Sequence, residues 1–282
     1  MLVSNEWKDY KILKTSNGMK LENWKNVTLL RPDPVVTWDL GDFKEYDINA
    51  IYHRSNTGGG HWEEKKKTPS SWSVSYKNLK FLLKEMGFKH TGLFPEQACN
   101  WDFIIEKING KKDIKVLNLF AYTGAASVAA LYAGASVTHV DSSKGMIEWA
   151  KENVKINNLD DKPIRYLVDD VIKFVEREIR RGNKYDAIIM DPPSYGRGAS
   201  GEVWSLDKDL EKLIKLCKEI LKEEFLFFLI NTYSTNLPNV SLENILKINF
   251  KNKKILVDDL CLPIDDSNLY LSCGITGRVT NE

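Results

Sequence analysis

Residues 116–141 read VLNLFAYTGAASVAALYAGASVTHVD, and this stretch decides the fold. Residues 116–120 are a short apolar run typical of a buried strand, and small residues from Ala125 onwards predict a helix. Residues 137–141 form a second strand-like run, which ends on the carboxylate of Asp141. A strand, a helix and another strand in this order predict a parallel sheet covered by helices.

The same alternation continues to the end of the chain. A helix opening at Pro95 precedes the first strand, and Ser143 is expected to cap the helix after the second strand. A later helix is expected to end at Arg180-Arg181-Gly182, and residues 206–221 predict a long amphipathic helix. Further strands are predicted at residues 164–168, 187–190, 225–230, 254–257 and 269–273. The prediction is an α/β fold, a Rossmann-like, seven-stranded, mostly parallel sheet with helices on both faces.

The first 85 residues predict a small β-rich module that could contact the substrate, ahead of the α/β domain at residues 86–282. Strand-like runs at residues 10–13 and 20–24 flank an Asn17-Gly18 turn, and two more lie at residues 72–76 and 79–83. Residues 57–67 are glycine-rich and then charged, so we expect a loop there. Five of the eight tryptophans lie in this module, as a thin β core requires.

The composition excludes several classes of protein. Of 282 residues, 40 are Lys or Arg and 39 are Asp or Glu, so no overall charge draws the chain to nucleic acid or membrane. Residues 51–100 nevertheless carry a net charge of +4, from eight basic and four acidic residues. No apolar run approaches the length of a membrane helix, and no export signal begins the sequence. Four cysteines without a CxxC pair favour a reduced, cytoplasmic protein.

The ends of the first two predicted strands favour a nucleoside cofactor. Asp141 lies 23 residues beyond Asn118, and a carboxylate at that spacing can accept both hydroxyls of a ribose. The loop after the first strand has Gly124 as its one glycine, and Phe120 and Tyr122 hinder the close approach that a pyrophosphate needs. There is no P-loop motif. A cofactor without phosphates is therefore predicted.

The end of the fourth predicted strand is the most specific motif. Asp191-Pro192-Pro193-Ser194-Tyr195 has two prolines that stiffen the turn and remove two backbone donors. Carbonyls and the Asp191 carboxylate remain as acceptors beside the Tyr195 ring. This array suits a planar, nitrogen-bearing group aligned for attack on a methyl donor. We predict that Asp191 and the Pro192 carbonyl orient the nucleophile and that Tyr195 holds its ring.

These motifs resemble class I S-adenosyl-L-methionine-dependent methyltransferases, in particular the bacterial 23S rRNA large-subunit group, in its short members without a PUA domain. The resemblance extends from His53-Arg54-Ser55 and Gly58-Gly59-Gly60 to Cys273-Gly274. It implies that residues 89–97, Asn118 to Gly124 and Asp141 contact the cofactor, and that Asp170 binds its adenine. The implied cofactor residues are Gln97, Asn118, Phe120, Tyr122, Thr123, Gly124, Asp141, Ser142, Asp170 and Asp191; the implied substrate residues are Pro193, Ser194 and Arg197.

The predicted function is therefore N-methylation of a base in RNA, with ribosomal RNA as the expected partner and S-adenosyl-L-methionine as the cofactor. Cytosine-C5 members carry a nucleophilic cysteine after the fifth strand, where this chain has Asn231-Thr232-Tyr233-Ser234. The alternatives are methylation of a protein or small molecule, cytosine-C5 methylation of rRNA, a nicotinamide-dependent oxidoreductase, and a non-catalytic RNA-binding or cofactor-sensing module. The four histidines lack metal-ligand spacing, so no metal is predicted. The oligomeric state stays open.

Plainer interpretations accompany several of these residues. Asp141 could be only a helix N-terminal acid, and one of Asp169 and Asp170 is expected to be an N-cap. His139, inside the second strand, is expected to be a hydrogen-bonded core residue. Residues 65–67 are three consecutive lysines, and such a run is more often exposed to solvent than in contact with nucleic acid. The net charge of +4 over residues 51–100 nevertheless suggests that this module helps to bind a polyanion.

Overall fold

The computed structural model describes residues 1–55, 59–85, 87–197, 203–233 and 237–281, with the side chain of Arg197 also outside the description. The chain forms two compact units. The first comprises Met1–Cys99 and Leu260–Cys273, and the second comprises Asn100–Asp259 and Gly274–Glu282. These limits differ from the boundary expected at residue 85, and separate domains at residues 1–85 and 86–282 stay a prediction.

The first unit is β-rich, as predicted. It contains the strands β1 (Leu2–Val3), β2 (Tyr10–Ser16), β3 (Met19–Trp24), β4 (Val27–Pro32), β5 (Ala50–Arg54), β6 (Gly60–Glu64), β7 (Trp72–Tyr76) and β8 (Leu79–Leu83). One sheet has the order β2-β3-β4-β5-β6, and β7 and β8 form a separate hairpin. The turn at Asn17-Gly18 has positive φ at both residues, as a tight hairpin requires.

Three strands of this sheet were not predicted. The expectation of a loop over residues 57–67 is wrong in part, because β6 occupies Gly60–Glu64 and pairs antiparallel with β5. The register places His53 opposite His61. Glycine and charged side chains carry little strand propensity, so the hydrogen bonds of the neighbouring strand decide this segment.

A buried ion pair stabilises the centre of the first unit. Glu22 is fully buried and accepts hydrogen bonds from Arg31 Nε at 2.6 Å, Arg31 Nη2 at 2.9 Å and the Tyr10 hydroxyl at 2.8 Å. Burial alone would raise the pKa of Glu22, but Arg31 and Lys20 outweigh it and lower this pKa to about 2. The carboxylate is therefore held charged and fully hydrogen-bonded inside the unit.

From Pro95 onwards the chain shows the predicted α/β alternation, most of it within the second unit. After a 3₁₀ turn at Pro95–Gln97, the elements are α1 (Ala98–Ile108), β9 (Lys115–Leu119), α2 (Ala125–Tyr132), β10 (Ser136–Asp141), α3 (Lys144–Ile156), β11 (Ile164–Val168), α4 (Val171–Arg181), β12 (Ala187–Met190), β13 (Tyr195–Arg197), β14 (Val203–Ser205), α5 (Leu206–Glu219), β15 (Phe227–Thr232), α6 (Asn239–Asn249), β16 (Lys254–Pro263) and β17 (Tyr270–Thr280). The short β13–β14 hairpin and α6 were not predicted.

The main sheet has eight strands in the order β1-β16-β17-β15-β12-β9-β10-β11. The pairs β15–β12, β12–β9, β9–β10 and β10–β11 are parallel, and β15–β17 is antiparallel. The Rossmann-like, mostly parallel sheet is thus confirmed, with eight strands instead of the seven expected. The order reverses at β9, whose neighbours are β10 on one side and β12 on the other, so the switch point lies between β9 and β12.

The helices of the second unit begin and end where local signals indicated. Ser143 caps α3 by accepting a hydrogen bond from the Met146 backbone, and Gly182 ends α4 in the left-handed conformation. The apolar face of α5 packs with α4 and α6 against one face of β9, β12 and β15. The buried apolar residues of α1 are Ala98, Trp101, Phe103, Ile104 and Ile108, and Ile105 is half-buried.

Candidate cofactor and substrate site

The loop after β9 has an unusual backbone. Phe120, Tyr122 and Gly124 have φ angles of 54°, 51° and 82°, so alternate residues are left-handed. This conformation costs a non-glycine residue about 1–2 kcal/mol and is kept where the surrounding structure imposes it. A Cβ on Gly124 would lie 2.9 Å from Ala150 Cβ and 3.3 Å from His139 Cε1, so only glycine fits. The loop therefore stores strain at the switch point of the sheet.

Asp141 fixes this loop from the end of β10. Its Oδ2 accepts a hydrogen bond from the Tyr122 backbone at 2.8 Å, and its Oδ1 accepts one from the Ser143 backbone at 2.8 Å. Burial raises the pKa of Asp141, while the two backbone hydrogen bonds partly oppose that rise. A carboxylate oxygen has two acceptor sites, so each oxygen can still accept a ribose hydroxyl. The structural role and the predicted ribose role are compatible.

Asn118 lies in the interior. Its side chain is 3% exposed and donates to Ser127 Oγ at 2.9 Å, which in turn lies 3.0 Å from His139 Nδ1. The amide nitrogen is thus engaged below the loop, and its contact with the cofactor stays a prediction. His139 is buried and hydrogen-bonded through its Nδ1, as expected, whereas its Nε2 has no hydrogen-bond partner among the described residues. Burial lowers the pKa of His139 to about 3, which keeps the ring neutral.

The two acids after β11 have different partners. Asp170 is the N-cap of α4, where its Oδ1 accepts from the Lys173 backbone at 2.9 Å. Asp169 pairs with Arg177. The N-cap expected at one of these positions is therefore Asp170, the residue that the resemblance assigns to adenine. Its second oxygen is not used by the cap, and the adenine contact stays a prediction.

The motif after β12 is a rigid turn. The Asp191 backbone donates to the Leu119 carbonyl at 3.4 Å, Pro192 is buried, and the Ser194 carbonyl accepts from Leu206 at the start of α5. The Pro193 carbonyl accepts from Trp204 Nε1 at 2.6 Å and is therefore occupied. Tyr195 is 56% exposed.

Trp204 connects this turn to the loop after β9. Its ring lies 5.8 Å from the Phe120 ring, centroid to centroid, while its Nε1 binds Pro193. Trp204 stands beyond the glycine-rich residues 196–201 in the sequence, a pattern that by itself does not identify these contacts. Residues 198–202, which include most of that stretch, and the side chain of Arg197 lie outside the described part, so the predicted contact of Arg197 with substrate is not tested.

The remaining predicted site residues differ in their exposure. Thr123 is 1% exposed, and its carbonyl accepts from Asn153 Nδ2 at 2.8 Å, a contact that no sequence pattern indicated. Ser142 is exposed at the end of β10. Gln97 is buried at the end of the 3₁₀ turn and belongs to the first unit. Their contacts with the cofactor stay predictions.

No three His, Cys, Asp or Glu side chains among the described residues are grouped so that they could hold a metal ion. No helix in the described ranges has the length and hydropathy needed to cross a bilayer.

The site therefore fits a nucleoside cofactor without phosphates: a carboxylate with free acceptor capacity follows β10, and a strained aromatic loop follows β9. The chain belongs to the S-adenosylmethionine-dependent methyltransferase family, whose profile matches residues 49–247. This confirms the family resemblance, the cofactor and the enzymatic class. It also decides against the nicotinamide-dependent oxidoreductase and the non-catalytic module.

Similar proteins agree with this assignment. The chain is 34% identical over 188 residues to "Ribosomal RNA large subunit methyltransferase K/L" of Shewanella frigidimarina (strain NCIMB 400), covering 66% of this chain and 25% of that protein. The protein of that name from Syntrophotalea carbinolica is 29% identical over 206 residues, covering 70% and 28%. The chain thus spans about a quarter of the length of these curated relatives.

Solved structures share the fold. The crystal structure of a SAM-dependent methyltransferase from Agrobacterium tumefaciens has a TM-score of 0.94 and 34% identity, covering 100% of this chain and 93% of that one. A methyltransferase solved in complex with SAH has a TM-score of 0.78 and 23% identity, covering 98% and 76%.

Proposed function

We propose that this enzyme transfers a methyl group from S-adenosyl-L-methionine to a ring or exocyclic nitrogen of a base in RNA, with large-subunit ribosomal RNA as the substrate. The observation that carries the proposal is the rigid turn Asp191 to Tyr195, which combines acceptors with an exposed aromatic ring. The names of the curated relatives support ribosomal RNA as the substrate class. An RNA-modifying enzyme of this kind would act in the cytoplasm.

The cofactor is proposed to lie along the carboxyl ends of β9, β10 and β11. Phe120, Tyr122 and Gly124 line the methionine part, Asp141 accepts the ribose hydroxyls, and Asp170 accepts the adenine amino group through its uncapped oxygen. Asp141 is suited to this role because burial strengthens a charge-assisted hydrogen bond. When bound, the cofactor supplies a sulfonium that is already electrophilic, so little acid–base catalysis is needed.

The chain's own residues orient the nucleophile. Tyr195 stacks the base, and the Asp191 carboxylate accepts an N–H of the reacting nitrogen so that its lone pair faces the methyl carbon. The Pro192 carbonyl receives no hydrogen bond within the described part of the chain and can accept a second N–H. The bound cofactor would supply the methyl group: the nitrogen–carbon bond would form as the sulfur–carbon bond of the cofactor breaks, and the proton of the nitrogen would go to solvent. Orientation and exclusion of water provide the catalysis.

A nitrogen acceptor is favoured over carbon 5 of a pyrimidine. Carbon 5 reacts only after a thiolate adds to carbon 6, and the segment at residues 231–234, where cytosine-C5 members have their cysteine, contains none. Asn231 there accepts a hydrogen bond from Asn100 Nδ2 at 2.9 Å, and Thr232 is buried; Ser234 lies outside the described residues. Cys217 is buried on the apolar face of α5, and burial raises the pKa of its thiol, so it is not a nucleophile.

The decisive experiment compares modified nucleosides in ribosomal RNA from cells with and without the gene, by mass spectrometry. We expect one N-methylated nucleoside to disappear and to return when purified enzyme and cofactor are added to that RNA. Loss of a 5-methylpyrimidine instead, or a covalent adduct with 5-fluorocytidine or 5-fluorouridine RNA on a denaturing gel, would overturn the nitrogen assignment. Unchanged rRNA with methyl transfer to a protein or small molecule would support the alternative substrates.

The lysines at 65–67 give this proposal limited support. Lys65 pairs with Glu63 and Lys66 pairs with Asp47, so two of the three ammonium groups are already engaged by carboxylates. Lys67 has no carboxylate partner within the described ranges. Of the three lysines, we therefore propose RNA contact for Lys67 alone.

A further inference from the structure

A hydrogen bond from helix α3 also holds the strained loop after β9, at residues 120–124. Asn153 is fully buried among the apolar residues Trp149, Ala150 and Val154 of that helix. Its Nδ2 donates to the Thr123 carbonyl at 2.8 Å. A buried amide in such surroundings is costly unless it is hydrogen-bonded, so the bond to Thr123 accounts for a polar residue at this place.

The bonded carbonyl lies between two left-handed residues. Tyr122 precedes Thr123 with a φ of 51°, and Gly124 follows it with a φ of 82°. The peptide between Thr123 and Gly124 is thus the point at which the loop could relax towards ordinary backbone angles. Asp141 fixes the loop at the Tyr122 N–H, and Asn153 fixes it at the Thr123 C=O. The two bonds hold consecutive residues from different elements.

We propose that Asn153 is a positioning residue for S-adenosyl-L-methionine. It acts through the loop, keeping the left-handed conformation of Tyr122 and Gly124 preformed so that binding does not have to impose it. The inference rests on the proposed placement of the cofactor against this loop. Because preorganisation lowers the cost of binding and leaves the bound geometry unchanged, its loss raises the Kd and KM of the cofactor and leaves kcat at saturation near its original value.

A matched control is available on α6. Asn249 is 4% exposed, and its Nδ2 donates to the Ile245 carbonyl of the same helix at 2.8 Å, so it is a buried asparagine with a side-chain-to-backbone bond away from the loop. Asn153→Leu and Asn249→Leu should lower the melting temperature by similar amounts. Only Asn153→Leu should weaken S-adenosylhomocysteine binding in calorimetry and raise the KM for the cofactor, by about tenfold.

A second variant separates the hydrogen bond from packing. In Asn153→Asp the side chain keeps its shape, but an ionised carboxylate repels the Thr123 carbonyl, whereas the protonated acid can donate its O–H to it. Affinity for S-adenosylhomocysteine, relative to the wild type at each pH, should therefore recover between pH 8 and pH 5.5. Of the nearby titratable groups, His139 stays neutral in this pH range. Asp141, Lys151 and Glu152 are present in both the variant and the wild type, so any pH effect that they have on binding cancels when the affinity of the variant is divided by that of the wild type.

The outcomes separate failure of the proposed cofactor placement from failure of the positioning role of Asn153. If Asp141→Ala binds S-adenosylhomocysteine as well as the wild type does, the proposed cofactor placement fails. If Asp141→Ala binds weakly but Asn153→Leu binds like Asn249→Leu, the placement stands and the positioning role of Asn153 is refuted. Should Asn153→Leu not fold, a pH-independent affinity ratio for Asn153→Asp would refute it equally.

Discussion

Asp141 offers the sharpest test of the cofactor site. Asp141→Ala removes the acceptors of the Tyr122 and Ser143 backbone N–H groups together with the proposed acceptors of the ribose hydroxyls. A hydrogen bond to a charged group contributes about 1.5–3 kcal/mol, which corresponds to a loss of affinity of roughly 10- to 150-fold. We expect titration calorimetry with S-adenosylhomocysteine to show a loss in that range.

The control for this variant is Asp161→Ala. Asp161 is exposed in the same unit and pairs with Lys162, so its removal changes the net charge equally and leaves the loop intact. An Asp141→Ala protein that is folded and binds as tightly as the Asp161→Ala protein would refute the ribose assignment.

The pH dependence of the wild type provides an independent check. Burial raises the pKa of Asp141, so the carboxylate takes up its proton at a higher pH than an ordinary aspartate does. Because the protonated form is a poorer acceptor, affinity for S-adenosylhomocysteine should fall as the pH drops through this raised pKa. That fall should be absent from Asp141→Ala; the same fall in both proteins would assign it to another group.

Three further predictions concern stability and RNA binding. Gly124→Ala should lower the melting temperature more than Gly182→Ala does. Both glycines are left-handed, but only at Gly124 would an added Cβ meet a neighbour, Ala150 Cβ at 2.9 Å. Equal melting temperatures for the two variants would contradict this. Glu22→Gln should lower the free energy of unfolding, measured in urea at pH 7, by about 3–5 kcal/mol. Because the folded pKa of Glu22 is about 2, below the unfolded value of 4.5, the stabilisation by its carboxylate is lost as the pH falls from about 4.5 to 2. An equal loss of unfolding free energy at pH 7 and at about pH 2 would refute this prediction. Changing all three lysines at 65–67 to alanine should make the dependence of RNA affinity on salt concentration less steep by about one phosphate contact, because two of the three lysines are paired with carboxylates. A decrease that corresponds to about three contacts would show that all three lysines bind phosphate.

Local signals in the sequence were sufficient for most of the second unit. Apolar runs of strand length and helix ends such as Ser143 and Gly182 act over a few residues, so they can be read without knowing the rest of the fold. The carboxyl ends of the strands then fix which residues share one edge of the sheet. The loop after β9 and Asp141 share this edge, and the Tyr122–Asp141 hydrogen bond joins them.

By itself, then, the sequence determined the α/β class, the β-rich first part and the strand ends where a nucleoside cofactor would bind. The tertiary structure was needed to show which other polar groups are engaged: Asn118 with Ser127, Pro193 with Trp204, and Thr123 with Asn153. It also decided that the segment at Gly60–Glu64 is a strand. The physical reason is common to all of these. Strand and helix patterns arise from neighbours in the chain, whereas the partner of a buried polar group or of a strand edge is set by the fold, at separations of up to thirty residues here.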